Sequence, residues 1–207
     1  HGTVVEWLAK IPPHIVESDF QLRLTALWTH ALGYRLGDTL QQATALIDDR
    51  TAHERVRAEA MAALASAFDM VDRHDEARHY VSLCAALSAG PRARQVLEYL
   101  QADFACNAGQ TELGRRLLLP TAGERLSPAV QIWRDFLTTW TYLWEGRPAL
   151  AEQVARLQHS RWEARVGRRD PWSALLASVL AAARWQQDLR SDARALLADR
   201  LDVIERG

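Results

Sequence analysis

Histidine, cysteine and the acidic residues are the side chains of this 207-residue chain that could catalyse a reaction or hold a metal. His53-Glu54 begins like a zinc-protease motif, but the second histidine four residues on is missing. His74 and His79 lie five residues apart across a turn and a helix start, a poor spacing for a shared metal ion. There is also no nucleophile elbow and no Cys–His signature. We therefore expect that the protein is not an enzyme and holds neither a metal nor a cofactor.

The bulk composition narrows the class of protein. Apolar residues make up 48% of the chain, enough to bury a core, and the net charge is −1. Cys84 and Cys106 have no CxxC spacing and are typical of reduced thiols packed as small hydrophobic side chains. The chain has no excess of basic residues that would favour binding to nucleic acid, and no basic amphipathic segment that would favour binding to a membrane surface. We expect a cytoplasmic protein that contacts neither directly.

Residues 133–144, WRDFLTTWTYLW, hold three of the eight tryptophans. At about 100° per residue in a helix, their large apolar side chains fall on one arc. We call this set the aromatic stripe: Trp133, Phe136, Trp140, Leu143 and Trp144. Such a stripe either anchors a core or floors a binding groove. The opposite face is polar for a packing surface, so both orientations stay open; it carries Asp135, Thr138, Thr139 and Tyr142.

Helix formers dominate the whole chain, apolar residues recur every three or four positions, and no stretch alternates with period two. Breakers such as Gly37-Asp38 and Asp170-Pro171 divide the chain into helices that come in pairs. A short helix over 3–10 precedes five predicted pairs: 19–36 with 38–50, 52–71 with 74–89, 91–108 with 110–119, 128–145 with 147–166, and 171–188 with 191–206.

Small residues repeat through these pairs. One opens the second helix of each pair, at spacings of 34, 37, 37 and 42 residues: Ala43, Ala77, Gly114, Ala151 and Ala193. Twelve residues before each stands another short side chain: Ala31, Ala65, Ala102, Thr139 and Ala181. Three positions later an aromatic residue follows in three of the pairs: Tyr34, Phe68 and Tyr142. The turn between the helices has Gly109 or Gly146 in two pairs and Asp72 or Asp188 in two others.

This pattern resembles the tetratricopeptide repeat, whose period is 34 residues. A helix pair cannot bury its apolar face alone, so it stacks on the next pair. The expected fold is all-α: a right-handed superhelix of about five antiparallel helix pairs, a TPR-like solenoid that makes residues 1–207 a single repeat domain.

The first 45 residues carry a more specific pattern. Trp7-Leu8-Ala9-Lys10-Ile11-Pro12 precedes Ser18-Asp19-Phe20-Gln21-Leu22, and Ala26-Leu27-Trp28 follows. This resembles the start of the repeat domain in MalT-like, ATP-dependent regulators of the LuxR family, with a Trp-Leu-x-x-Leu-Pro segment and then a helix with Ala-Trp near its middle. Ile11 replaces the usual leucine, and Asp19 stands where proline is often seen.

The resemblance implies a fragment of a larger switch protein, with an ATPase module N-terminal and a helix-turn-helix DNA-binding domain C-terminal. The repeat region between them would sense an inducer, such as a sugar. This chain has no phosphate loop, so we expect that it does not bind ATP. Its net charge of −1 fits the absence of the DNA-binding domain, so we expect no direct contact with DNA. The expected partner is a small-molecule inducer or a protein, and self-association stays open.

In tetratricopeptide arrays the first helix of each pair lines the concave face. Aromatic platforms with a few carboxylates and amides suit a sugar, an aromatic ligand or a peptide. The alternatives to a ligand sensor are a scaffold that binds a peptide or helix, and a structural spacer whose tryptophans are buried. The predicted groove residues are Trp28, Arg35, Asp69, Tyr99, Asp103, Asn107, Trp133, Trp140, Trp144, Trp185 and Gln186.

Overall fold

The structure is a computed structural model that describes residues 2–33, 35–119, 125–198 and 200–204. These residues form helices and no strand, as the composition predicted. None of the described helices combines the length and the apolar character needed to cross a lipid bilayer. The helices are α1 (Gly2–Leu8), α2 (Pro13–Ser18), α3 (Phe20–Leu32), α4 (Leu36–Ile47), α5 (Glu54–Asp69), α6 (His74–Ala85), α7 (Pro91–Asn107), α8 (Thr111–Leu118), α9 (Pro128–Trp144), α10 (Pro148–Val166), α11 (Pro171–Gln186), α12 (Arg190–Leu197) and α13 (Leu201–Ile204).

The helices group into two compact units, residues 1–100 and residues 101–207. In the first unit, α3 packs against α4 and α5, and α5 packs against α4 and α6. In the second unit, α9 packs against α10 and α11, and α11 packs against α10 and α12. In both units a first helix, α3 or α9, therefore contacts its own partner and the first helix of the following pair. Packing in adjacent pairs is what the repeated small residues predicted.

Two of the helices, α9 and α11, begin at the capping residues that the sequence predicted. The hydroxyl of Ser127 accepts a hydrogen bond from the N–H of Val130 at 3.3 Å, and the carboxylate of Asp170 accepts one from the N–H of Trp172 at 2.9 Å. In both helices proline occupies the first helical position, where its missing N–H costs nothing. These starts fix where α9 and α11 present their side chains.

The helices of four pairs are joined by the same left-handed turn. The turn residues are Asp72, Gly109, Gly146 and Asp188, with φ of 59°, 78°, 68° and 63°. In each turn the next residue donates its N–H to the carbonyl five residues back, as Arg73 does to Phe68 at 2.9 Å and Arg147 does to Tyr142 at 2.9 Å. This is the hydrogen bond of a Schellman motif, which needs a residue in the left-handed region. Aspartate tolerates that region better than most side chains do, so it can replace glycine.

The first pair has the same hydrogen bond between the start of its second helix and the end of its first, but not where the sequence predicted the turn. Arg35 donates its N–H to the carbonyl of His30 at 3.0 Å, and its φ of −93° and ψ of 67° match those of Arg73. Gly37 is therefore not the breaker between the helices but part of the first turn of α4. Tyr34, just before Arg35, lies outside the described residues. The predicted boundary was wrong because a glycine can occupy the first turn of a helix at little cost in stability, so Gly37 by itself does not mark a helix end.

The different position of the turn also changes which small residue belongs to the first repeat. Thr39 donates its N–H to the carbonyl of Arg35 at 2.9 Å, as Ala77 does to Arg73 at 3.1 Å. Thr39, fully buried, is thus the residue that corresponds to Ala77, and Ala43 lies one helical turn further along. The other small residues are buried as predicted: Ala65, Ala77, Ala102, Gly114, Thr139, Ala151, Ala181 and Ala193.

Gly114 shows why a small residue is needed at this position. A Cβ atom added there would overlap the Sγ atom of Cys106 and lie 3.0 Å from the carbonyl oxygen of Ala102. The start of α8 therefore approaches the end of α7 more closely than any side chain would allow. The same position is Ala77, Ala151 or Ala193 in three other pairs, and Thr39 in the first pair.

The polar face of α9 is a packing face, because its buried side chains are hydrogen-bonded. The carboxylate of Asp135 accepts hydrogen bonds from the indole Nε1 of Trp162 at 2.9 Å and from Gln131 Nε2 at 2.9 Å. The hydroxyl of Thr139 donates to Gln158 Oε1 at 2.9 Å. Trp162 and Gln158 belong to α10, so this network joins the two helices of the pair. The aromatic stripe must then lie on the other side of α9.

The left-handed turn predicts opposite effects for one substitution at two glycines. Gly146→Ala should lower the free energy of unfolding by about 1 kcal/mol, because L-residues are strained at positive φ. Gly37→Ala, inside α4 with open space around the added Cβ, should be neutral or raise it by up to about 1 kcal/mol. Urea unfolding of both variants measures the difference. Equal losses at the two sites would contradict the assigned turns.

The network around Asp135 predicts a second pair of variants. Asp135→Ala should lower the free energy of unfolding by about 2–3 kcal/mol, because it leaves buried donors without an acceptor. Asp135→Asn keeps an acceptor for Trp162 and should cost much less. Urea unfolding compares the two, and an Ala variant as stable as the Asn variant would show that the network contributes nothing.

The same site gives a pH dependence of known sign. Burial raises the pKa of the Asp135 carboxyl above its ordinary value, against the hydrogen bonds from Trp162, Gln131 and Gln158. The folded state therefore holds this proton more tightly than the unfolded chain, and the stability it contributes is lost as pH rises through the raised pKa. As pH rises, the free energy of unfolding of the wild type should fall relative to that of Asp135→Asn. Curves that stay parallel would contradict this.

Candidate ligand-binding site

Five aromatic rings form a continuous ladder along α9. Trp172, at the start of α11, meets Trp133 edge to face with centroids 6.2 Å apart. Each following neighbour lies at a similar distance, with 5.9 Å from Trp133 to Phe136, 6.0 Å from Phe136 to Trp140, and 6.1 Å from Trp140 to Trp144. These spacings are typical of favourable aromatic pairs. We call this set the aromatic ladder.

The exposure of the ladder changes along its length. Trp133, Phe136 and Trp140 are half-buried and pack on the core of the second unit, which includes Ile132, Trp162 and Leu176. Trp144, at the end of α9, keeps 49% of its surface exposed. Trp133, Phe136 and Trp140 therefore contribute to packing, which is one of the two orientations left open by the sequence, whereas Trp144 is half-exposed.

A cavity of about 330 Å³ opens beside Trp144. Asn107 at the end of α7 and Thr111 at the start of α8 form it together with Trp144 and Glu145. Cys106 and Gly109 complete the lining. The left-handed turn at Gly109 brings α7 and α8 together here, and the packing of α8 on α9 adds Trp144. Two residues predicted for the binding groove, Asn107 and Trp144, are thus brought to one cleft.

Glu145 is the charged residue among those that line this cleft. Its carboxylate accepts hydrogen bonds from the hydroxyl of Thr111 at 2.6 Å and from the guanidinium of Arg115 at 2.6 Å. Arg147 lies 3.5 Å away on the other oxygen. Burial raises the pKa of the Glu145 carboxyl, but the hydrogen bonds from Arg115 and Thr111 outweigh burial and lower the pKa below its ordinary value. Glu145 therefore stays ionised, and its charge is neutralised by these partners.

The ring of Tyr142 contacts two of these cations. The guanidinium carbon of Arg115 lies 4.7 Å from the centre of its ring, and that of Arg147 lies 5.6 Å away. Such contacts position the guanidinium planes and limit their motion. Tyr142 therefore helps to hold the two guanidinium groups that pair with Glu145.

The predicted groove residues of the first unit differ in their exposure and in their partners. Trp28 is only 9% exposed, and its indole Nε1 donates to Glu59 Oε1 at 3.2 Å. Arg35 forms an exposed ion pair with Asp38 at 2.6 Å. The carboxylate of Asp69 lies 3.3 Å from His74 Nδ1, and Tyr99 is half-buried.

In the second unit, Asp103 and Asn107 are hydrogen-bonded to each other and lie one helical turn apart. The amide of Asn107 donates to Asp103 at 2.7 Å, which orients the Asn107 side chain at the edge of the cleft. Trp185 is 50% exposed, with the guanidinium of Arg190 at 5.4 Å from its ring, and Gln186 beside it is exposed. Neither Trp185 nor Gln186 is among the residues that line the cleft.

Thr111, Arg115, Glu145 and Arg147 were not predicted from the sequence, although one signal points to Arg147. The residue after the left-handed turn is arginine where the residue five positions earlier is aromatic: Arg73 stacks on Phe68 at 4.7 Å, and Arg147 on Tyr142. In the third and fifth pairs the earlier residue is Ala105 or Arg184, and no arginine follows the turn.

In the comparisons with known proteins, no family model, no curated protein and no solved structure matches this chain.

Proposed function

We propose that this chain is the regulatory repeat domain of a transcriptional regulator and that it binds a small molecule at the cleft beside Trp144. The aromatic ladder carries the proposal, because it ends in a half-exposed tryptophan next to a cavity. An exposed indole face held by its neighbours offers a flat apolar platform with polar groups around it. Asn107 and Thr111 supply those polar groups here. A sugar ring or an aromatic ring suits this surface.

The size of the cavity favours a small ligand over a peptide helix. Ligand pockets are typically about 300–1,000 Å³, and the cavity beside Trp144 is about 330 Å³. A helix would need a long apolar groove with anchors at successive turns. The ladder offers no such row of anchors, because Trp133, Phe136 and Trp140 are half-buried against the core.

The ladder also offers a route by which binding could bias the packing of neighbouring helices. A ligand on Trp144 contacts the last of a series of rings that reaches Trp172 on α11. A ligand that prefers one arrangement of α9 against α11 shifts the population towards that arrangement. In a right-handed TPR-like superhelix, such a shift changes the curvature. The N-terminal resemblance to MalT-like regulators supports this role for the repeat region.

A neutral aromatic dye tests the platform directly. We expect 1-anilinonaphthalene to bind with a saturable rise in fluorescence, and Trp144→Ala to raise its Kd by about tenfold or more, since the indole face is lost. Trp7→Ala is the matched control, because Trp7 is 60% exposed and belongs to the other unit. Dye fluorescence titrations of the three proteins give the Kd values.

An unchanged Kd in Trp144→Ala would rule out the platform. If panels of sugars and aromatic compounds give no thermal shift while an affinity pull-down recovers a peptide or protein in a Trp144-dependent way, the chain is a scaffold. If neither a small molecule nor a protein depends on Trp144, the repeat is a structural spacer.

A further inference from the structure

A second cavity adjoins the one beside Trp144. It has a volume of about 610 Å³ and shares Gly109, Thr111 and Glu145 with the first. A ligand seated on Trp144 can therefore extend into it past Glu145 without crossing the protein interior. The residues that line only this second cavity decide what part of a ligand fits there.

Those residues give the second cavity an excess of positive charge. Three arginines line it against two glutamates: Arg115, Arg116 and Arg147 against Glu112 and Glu145. Glu145 is already matched by Arg115 and Thr111. Arg116 is exposed and forms no ion pair with any residue in the part of the chain that the structure describes. Its charge is available to an anion, and Arg147, which is half-exposed and 3.5 Å from Glu145, adds a second guanidinium that an anion can share with Glu145.

The start of α8 also favours an oxyanion over a simple apolar tail. The first residues of α8, Thr111 to Leu113, line the same cavity, and the N–H groups of a helix start point along its axis and favour negative charge. Arginine binds phosphate and carboxylate through parallel N–H groups, which gives orientation as well as affinity.

We propose that the ligand carries an oxyanion, a phosphate or a carboxylate, next to its planar part, and that Arg116 and Arg147 bind this group while Trp144 holds the ring. This inference rests on the proposed function, since it assigns the chemical class of the ligand for the same cleft. Glu145 holds the guanidinium groups of Arg115 and Arg147 before the ligand arrives, and the exposed Arg116 closes on the oxyanion when it binds. A sugar phosphate or an aromatic acid has this combination of groups.

A pair of dyes that differ in one charge tests the subsite. 1-Anilinonaphthalene is neutral, and 8-anilinonaphthalene-1-sulfonate has the same rings plus an oxyanion. We expect the double variant Arg116→Gln/Arg147→Gln to raise the Kd of the sulfonate by about tenfold, as expected for the loss of charged hydrogen bonds. The Kd of the neutral dye should stay within about twofold of the wild-type value. Arg116→Glu alone, on an exposed side chain, should weaken the sulfonate in the same direction.

The matched control removes two charges elsewhere in the same unit. Arg156 and Arg194 are exposed and line neither cavity, so Arg156→Gln/Arg194→Gln should leave the Kd of both dyes unchanged. If both double variants weaken the sulfonate equally, its attraction is only the general field of the unit, and the subsite is wrong. If Arg116→Gln/Arg147→Gln leaves the Kd of the sulfonate unchanged, the subsite is wrong as well.

The two proposals fail in different ways. When Trp144→Ala weakens the neutral dye but the arginine variants leave the sulfonate unchanged, the platform stands and the oxyanion subsite falls. When the arginine variants weaken the sulfonate but Trp144→Ala changes neither dye, the subsite stands and the platform falls. Competition by phenyl phosphate and by benzoate then shows which oxyanion the subsite prefers, and the failure of both to displace the sulfonate would overturn the inference.

Discussion

The left-handed turn between the two helices of a pair is the constraint on which the described contacts depend. At Asp72, Gly109, Gly146 and Asp188 the backbone reverses through a residue with positive φ, and the following N–H returns to the first helix. Such a turn fixes the axial position of the second helix against the first. The small residue four positions after the hydrogen-bonded N–H then lies at the closest approach, as Gly114 does against Cys106. The same turn places Gly109, Asn107 and Thr111 at the rim of one cleft.

The position of the aromatic ladder on α9 follows from the packing of the opposite face of that helix. The network of Asp135, Thr139, Trp162 and Gln158 holds the polar face of α9 against α10. A buried carboxylate is costly unless it is hydrogen-bonded, so a rotation of α9 that separated Asp135 from Trp162 would be strongly disfavoured. With that face fixed, the tryptophans lie towards α11, towards the cleft at the start of α8, and towards solvent. Packing specificity and a ligand platform are thus two consequences of one helix orientation.

Much of the fold could be predicted from the sequence, because helix propensity, breakers and small residues act locally. The first turn was misplaced because Gly37 looks like a breaker, whereas the hydrogen bond from Arg35 to His30 depends on backbone geometry that composition does not show. For the candidate site, the tetratricopeptide register placed Trp144 and Asn107 on the predicted concave face, and both line the cleft. The groups around Glu145 come from α8, α9 and the turn at Gly146, and only tertiary packing brings them together.

The central claim is that the aromatic ladder ends in a ligand-binding platform at Trp144. Fluorine NMR of the chain labelled with 5-fluorotryptophan tests it most directly, because each tryptophan gives its own resonance and substitution assigns them. On titration with 1-anilinonaphthalene, the resonance of Trp144 should shift first and saturate, with a smaller shift at Trp140 and none at Trp7. A titration in which Trp144 stays unmoved while Trp7 or Trp185 shifts would contradict the account.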